Sequence, residues 1–115
     1  MEKIIIEICK FILNNINDDI TLNNIEDTFY YNKHYLIRLF KIYTGYTIKE
    51  FINSVKVLKT IDPLLLTDDT ILKIALNNGF NSQEYYSEKF KDVIGTSPLK
   101  FRREYNDLDN IKDIN

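Results

Sequence analysis

The chain has 115 residues with a formal net charge of −2, is 44% hydrophobic and 28% charged, and contains three Gly, two Pro and one Cys. That composition fits one soluble globular domain or two small helical subdomains, and so few turn residues leave little room for a sheet. No apolar run approaches the roughly 18 residues needed to cross a membrane, an internal disulfide is impossible with Cys9 alone, and the cytoplasm is the expected compartment.

The opening stretch MEKIIIEICKFIL superficially resembles a signal peptide. Glu2 and Glu7 interrupt it and no small-residue cleavage site follows, so it reads as an amphipathic helix over about 2–16. Cys9 lies among Ile5, Ile8 and Ile12 at helical spacing, the setting of a buried core thiol. After the loop at 17–19, Thr21 caps a helix over about 22–30, and Asn32 caps one over 33–44 that Gly45 stops. Thr47 starts a longer helix, about 48–61. Asp62-Pro63 should interrupt it, with Asp62 as cap and Pro63 as the first residue of a short helical turn at 63–66. Thr70 caps a helix over about 71–78, Ser82 caps one over 83–94 that Gly95 stops, and Ser97-Pro98 opens one over about 98–107. The acidic residues after it read as a frayed tail.

The net charge argues at first against nucleic acid, but its distribution does not. Residues 28–61 carry six basic side chains against Glu50 alone, a net of +5, and residues 89–103 carry five against Asp92, a net of +4. Basic stretches on a mildly acidic body suit a basic face. The chain also repeats itself: YLIRLFKIYTGYTIKEF (35–51) lies over YYSEKFKDVIGTSPLKF (85–101) at an offset of 50, and Leu22 and Ile25 lie over Ile71 and Ile74 at an offset of 49. The shared aromatics are explained by core packing. Tyr35, Leu36, Leu39 and Phe40 fall on one helix face, as do Tyr85, Tyr86 and Phe90, so the repeat by itself shows two copies of a helical unit.

The pattern Ile71-x-x-Ile74-Ala75-x3-Gly79-Phe80, followed by Tyr85-Tyr86-x3-Phe90-Lys91-x3-Gly95-x-Ser97-Pro98-x2-Phe101-Arg102, resembles the tandem helix-turn-helix domain of the AraC/XylS transcription regulators. Tyr35-Leu36-x2-Leu39-Phe40-Lys41-x2-Thr44-Gly45 and Phe51-Ile52 extend the resemblance, which covers about residues 4–104. It implies an all-α fold of about seven helices, with two homeodomain-like three-helix units at 1–46 and 67–108, a linker helix at 47–66 interrupted at Pro63, and the tail at 109–115. The helices over 33–44 and 83–94 would then enter successive major grooves of double-stranded DNA. RNA polymerase is a further expected partner, and so is a ligand-binding or dimerisation domain if the chain is part of a longer regulator. Five positions depart from the family pattern: Glu26 and Thr60 replace small residues, Lys56 replaces an arginine, Pro63 enters the linker, and Glu88 stands where an arginine often touches DNA.

On the first reading helix, Lys33, His34, Ile37, Arg38 and Lys41 match the family's reading face. Arg38 can pair bidentately with guanine, Lys33 and Lys41 can reach phosphates, and Ile37 can touch a thymine methyl. His34, the only histidine, is a solvated side chain or a DNA contact, and no second His or Cys is spaced to share a metal with it. On the second, Ser82, Gln83, Glu84 and Ser87 are matched, with Lys91 at the end. Gln83 can read adenine and Glu84 a cytosine amino group, while Glu88 has a surface pairing with Lys89 or Lys91 as its simplest role. Lys100, Arg102 and Arg103 add positive charge beyond that helix, and Arg102 is counted among the expected DNA contacts. A protein-interaction module that keeps the fold without binding DNA is the alternative, favoured by the acidic second reading helix. No cofactor is expected. Nor is enzymatic activity, because the chain has one His, a Cys on an apolar helix face, and neither a Gly-rich phosphate loop nor a paired-carboxylate cluster.

Overall fold

A computed structural model describes the backbone of residues 2–112 and the side chains of residues 3–105. Among the described residues there are eight α-helices and no strand. They are α1 (Glu2–Asn14), α2 (Leu22–Phe29), α3 (Lys33–Thr44), α4 (Ile48–Lys59), α5 (Ile61–Leu66), α6 (Ile71–Asn77), α7 (Gln83–Ile94) and α8 (Pro98–Lys112). The eighth helix relative to expectation is α5, the short turn anticipated at Pro63. The chain divides into two compact units, Met1–Val55 and Lys56–Asn115.

In the first unit Ile5, Ile8, Ile12 and Ile16 recur every three or four residues. They form a stripe that packs against Ile25 of α2, Leu36, Leu39 and Phe40 of α3, and Ile48 of α4. Cys9 is only half-buried beside this core, so it is a rim residue and not the fully enclosed thiol expected, although burial still pushes its pKa up. The capping box of α2 is Thr21 with Asn24: each side chain accepts the other's backbone N–H, at 3.1 and 3.0 Å. Tyr35 is half-buried and stacks on Tyr31 at 5.8 Å, which puts it at the edge of the core.

The second unit has a core of Val57, Leu64, Ile74, Ala75, Phe80, Tyr86, Phe90 and Phe101. Its aromatic rings run in sequence: Phe80 to Tyr86 at 5.0 Å, Tyr86 to Phe90 at 5.8 Å, Phe90 to Phe101 at 5.5 Å and Phe101 to Tyr105 at 4.5 Å. Thr60, a departure from the family pattern, is fully buried here. Its hydroxyl donates to the Val57 carbonyl at 2.6 Å and accepts from the Tyr86 hydroxyl at 2.7 Å. Two buried polar groups thereby satisfy each other, which removes the penalty of leaving either unpaired.

The break at the end of α4 falls at Thr60, one residue before the expected end at Ile61. Asp62 is not the cap of α5. Thr60 holds that position, its carbonyl accepting the Leu64 N–H at 3.0 Å, and Pro63 is the third helical residue and not the first. Proline is tolerated there because the first four N–H groups of a helix have no intrahelical acceptor in any case. At the other end, α8 continues past the expected 107 to Lys112. Of the tail expected at 109–115, residues 113–115 lie outside the described residues.

Candidate nucleic-acid interface

In each unit a short helix and a tight turn lead into a longer helix, α2 into α3 and α6 into α7. In the second, α6 ends at a glycine in the left-handed region, Gly79 at φ +85°, and the Phe80 N–H closes back onto the Ala75 carbonyl at 3.0 Å. Phe80 buries its ring, Ser82 then caps α7 by accepting the Tyr85 N–H at 3.1 Å, and the Lys56 side chain lies over Gly79. In the first unit the residue equivalent to Gly79 is Tyr30, at φ +61° and 91% exposed. Its N–H donates to the Glu26 carbonyl at 2.9 Å, and Asn32 caps α3 by accepting the His34 N–H at 2.9 Å.

The turn places Lys33, His34, Ile37, Arg38 and Lys41 on α3. Leu36, Leu39 and Phe40 face inward, which leaves His34, Arg38 and Lys41, spaced i, i+4 and i+7, as one exposed stripe. Ile37 is half-buried against the first core, so a thymine contact would use only its outer edge. Lys41 donates to the Gly45 carbonyl at 2.8 Å, and Lys33 donates its ammonium to Asn23 Oδ1 at 3.2 Å. Both lysines are thus engaged on their own unit while Arg38 stands exposed.

The corresponding stripe on α7, at the offset of 50, is Glu84, Glu88 and Lys91, all exposed. Gln83 is exposed beside it, and Ser87 and Ser82 are half-buried, the Ser82 hydroxyl already accepting the Tyr85 N–H. Glu88 lies 3.9 Å from Lys89, which also lies 3.7 Å from Asp92 and 5.3 Å from the centre of the Tyr85 ring. The anticipated surface pairing of Glu88 is therefore present, with Lys89.

Arg102 sits differently from the contact expected of it. Its Nε donates to the Leu64 carbonyl at 2.8 Å and its guanidinium to the Thr67 carbonyl at 3.3 Å, which ties α8 to the C-terminal end of α5. Lys100 and Arg103 remain exposed. The other side chain whose role the sequence left undefined is Glu26. Its carboxylate accepts the Lys33 backbone N–H at 2.6 Å, across the turn and onto the first residue of α3. Both Glu26 and Thr60 were visible in the sequence as departures from a small residue, and that was the signal available. Among the described residues, no three His, Cys, Asp or Glu side chains gather to hold a metal ion, and no helix is long and apolar enough to cross a membrane.

A family model described as a helix-turn-helix domain matches residues 26–104. The chain is 33% identical over 100 residues to the transposon Tn10 TetD protein of Escherichia coli, covering 87% of this chain and 72% of that protein. It is 32% identical over 108 residues to the HTH-type transcriptional activator AarP of Providencia stuartii, covering 91% and 80%. Its fold matches a transcriptional regulator with an AraC-type DNA-binding domain from Chromobacterium violaceum, with a TM-score of 0.80 at 21% identity over 90% of this chain and 92% of that one. Two helical units, each presenting a capped helix after a tight turn, and the extent of these matches lead to one conclusion: the chain belongs to the AraC/XylS family of helix-turn-helix transcription regulators.

Proposed function

We propose that this chain regulates transcription by binding double-stranded DNA in a sequence-specific manner, with α3 and α7 each reading a major groove. The observation that carries the assignment of contacts is the α3 stripe, where His34, Arg38 and Lys41 are exposed together with no carboxylate between them. A helix fits the major groove, and a guanidinium on its exposed face can pair with guanine O6 and N7. Arg38 is the principal base-reading residue in this proposal, Lys41 and Lys33 approach phosphates, and His34 and the outer edge of Ile37 complete the surface.

On α7, Gln83 suits adenine and Glu84 suits the amino group of cytosine, with Ser82 and Ser87 at the edge and Lys91 toward the backbone. Arg102 contributes by holding α8 against α5 and only secondarily through its charge. In this proposal the protein works in the cytoplasm, where the DNA of a bacterial cell lies; the relatives it resembles are bacterial proteins. A contact with RNA polymerase belongs to the same proposal, supported by the description of the relative AarP as an activator.

Selection of bound duplexes from a random pool at two salt concentrations tests this. A recovered consensus is expected, with log affinity falling against log salt by about 0.9 for each phosphate neutralised. Failure to retain any duplex at low salt would leave the fold without the function.

A further inference from the structure

The turn of the first unit contains a contact that the second cannot make. Asn23 and Glu26, one turn apart on α2, hold the two ends of Lys33: Oδ1 of Asn23 takes the ammonium at 3.2 Å, and the Glu26 carboxylate takes the backbone N–H at 2.6 Å. Lys33 is the first residue of α3. Together with Asn32, which takes the His34 N–H, Glu26 occupies two successive donors at the start of the helix. The position of Glu26 in the second unit is Ala75, fully buried and with no side-chain acceptor, and Ser82 reaches only the Tyr85 N–H of α7.

The start of a helix is where a phosphate oxygen would bind, because its N–H groups are unsatisfied and its dipole is positive there. A carboxylate already seated on those donors competes with phosphate for the same hydrogen bonds and repels it. It also fixes the helix start, and therefore the angle at which Arg38 is presented, through a bond from a different helix.

We infer that Glu26 is a positioning and specificity-determining residue of the first reading helix: by accepting the Lys33 N–H it fixes how α3 is presented and keeps backbone phosphate off the helix start, so that the first unit depends on base contacts more than on phosphate contacts. This rests on the DNA-binding role proposed above. In a merely structural role, loss of Glu26 would weaken binding to every duplex alike. In the positioning role, specific and non-specific binding move in opposite directions.

The test compares wild type, Glu26→Ala and Glu26→Gln on the duplex selected by the wild type and on a scrambled duplex of the same length. Amide exchange at Lys33 is followed in parallel. Glu26→Ala is expected to lower the ratio of specific to scrambled affinity by about tenfold, to bind the scrambled duplex at least as tightly as the wild type, and to lose protection at the Lys33 amide. Glu26→Gln keeps the acceptor and the size while removing the charge. It is expected to retain the base preference and the Lys33 protection, and to bind the scrambled duplex roughly two- to fivefold tighter. The glutamine variant alone suffices should the alanine variant not fold. Equal weakening of Glu26→Ala on both duplexes, unchanged Lys33 protection in it, or loss of base preference in Glu26→Gln would each overturn the inference. A wild type that prefers no duplex would remove the DNA-binding role first, and is recognisable as that because no variant is needed to see it.

Discussion

In the first unit four isoleucines from α1 and the turn after it, joined by Ile25, Leu36, Leu39, Phe40 and Ile48, build a mainly aliphatic core; in the second, Phe80, Tyr86, Phe90 and Phe101 meet in a chain of tilted and edge-to-face ring contacts. The turns differ in the same way. The second follows the helix end with Gly79 and a buried Phe80, 3% exposed, while the first uses Tyr30 and Tyr31, both turned to solvent. The exposed stripes of α3 and α7 then carry opposite charge, His34, Arg38 and Lys41 against Glu84, Glu88 and Lys91. One arrangement of helices therefore tolerates two chemistries inside and two outside. It requires a left-handed residue at the turn, a cap on the reading helix and an apolar stripe of the right period.

The largest effect that tests this comparison is core truncation. Phe40 and Phe90, matched in the repeat and both fully buried, should each cost about 3–5 kcal/mol on replacement by alanine. Hydrogen exchange in each variant should show lost protection concentrated in its own unit, and uniform loss in both would mean that the units unfold together. Next come the reading stripes. Arg38→Ala should weaken binding to a selected duplex by about 1–3 kcal/mol, whereas Glu88→Arg should tighten non-specific binding and steepen its salt dependence. Titrations showing normal binding for Arg38→Ala and weaker binding for Glu88→Arg would make α7 the principal reader.

The turns should respond with opposite signs. Gly79→Ala places a side chain at φ +85°, with its Cβ 3.3 Å from the Lys56 ammonium nitrogen, and should destabilise by about 1–2 kcal/mol. Tyr30→Gly gives up almost no packing and relieves the left-handed strain, for a gain of about 0.5–1 kcal/mol in thermal or denaturant unfolding. If both substitutions destabilise, the exposed Tyr30 has a packing role in the turn.

The smallest effect concerns the polar pair in the second core. Tyr86→Phe removes the bond to Thr60 and should cost about 0.5–1.5 kcal/mol. Burial pushes the Tyr86 hydroxyl up to about 12, opposed by the Thr60 hydrogen bond and the charge of Arg102. Because the folded value lies above the unfolded value near 10, the neutral phenol favours the fold. That contribution is complete below about pH 10 and is lost as pH rises through about 12. Unfolding curves across this interval should fall more steeply for wild type than for Tyr86→Phe, and parallel curves would show that the phenol titrates alike in both states.

Local chemistry was enough to read most of the architecture. The starts of α2, α3, α6 and α7 coincide with the caps Thr21, Asn32, Thr70 and Ser82, and the ends of α3 and α7 with Gly45 and Gly95, because a cap acts within three or four residues of itself. Isoleucine spacing alone marked the inward face of α1, and the offset of 50 marked the two units. The exposed stripes of α3 and α7 were legible for the same reason, since helical periodicity turns sequence position into direction. Glu26, Thr60 and Arg102 were not legible in this way. Each is a polar side chain whose partner lies on another element, 7, 26 and 38 residues away for the bonds to Lys33, Tyr86 and Leu64. Nothing local specifies such a partner. The unsatisfied donor or acceptor exists only once the elements have packed, so only the tertiary structure decides that Glu26 closes the start of α3, that Thr60 and Tyr86 pair, and that Arg102 binds the end of α5.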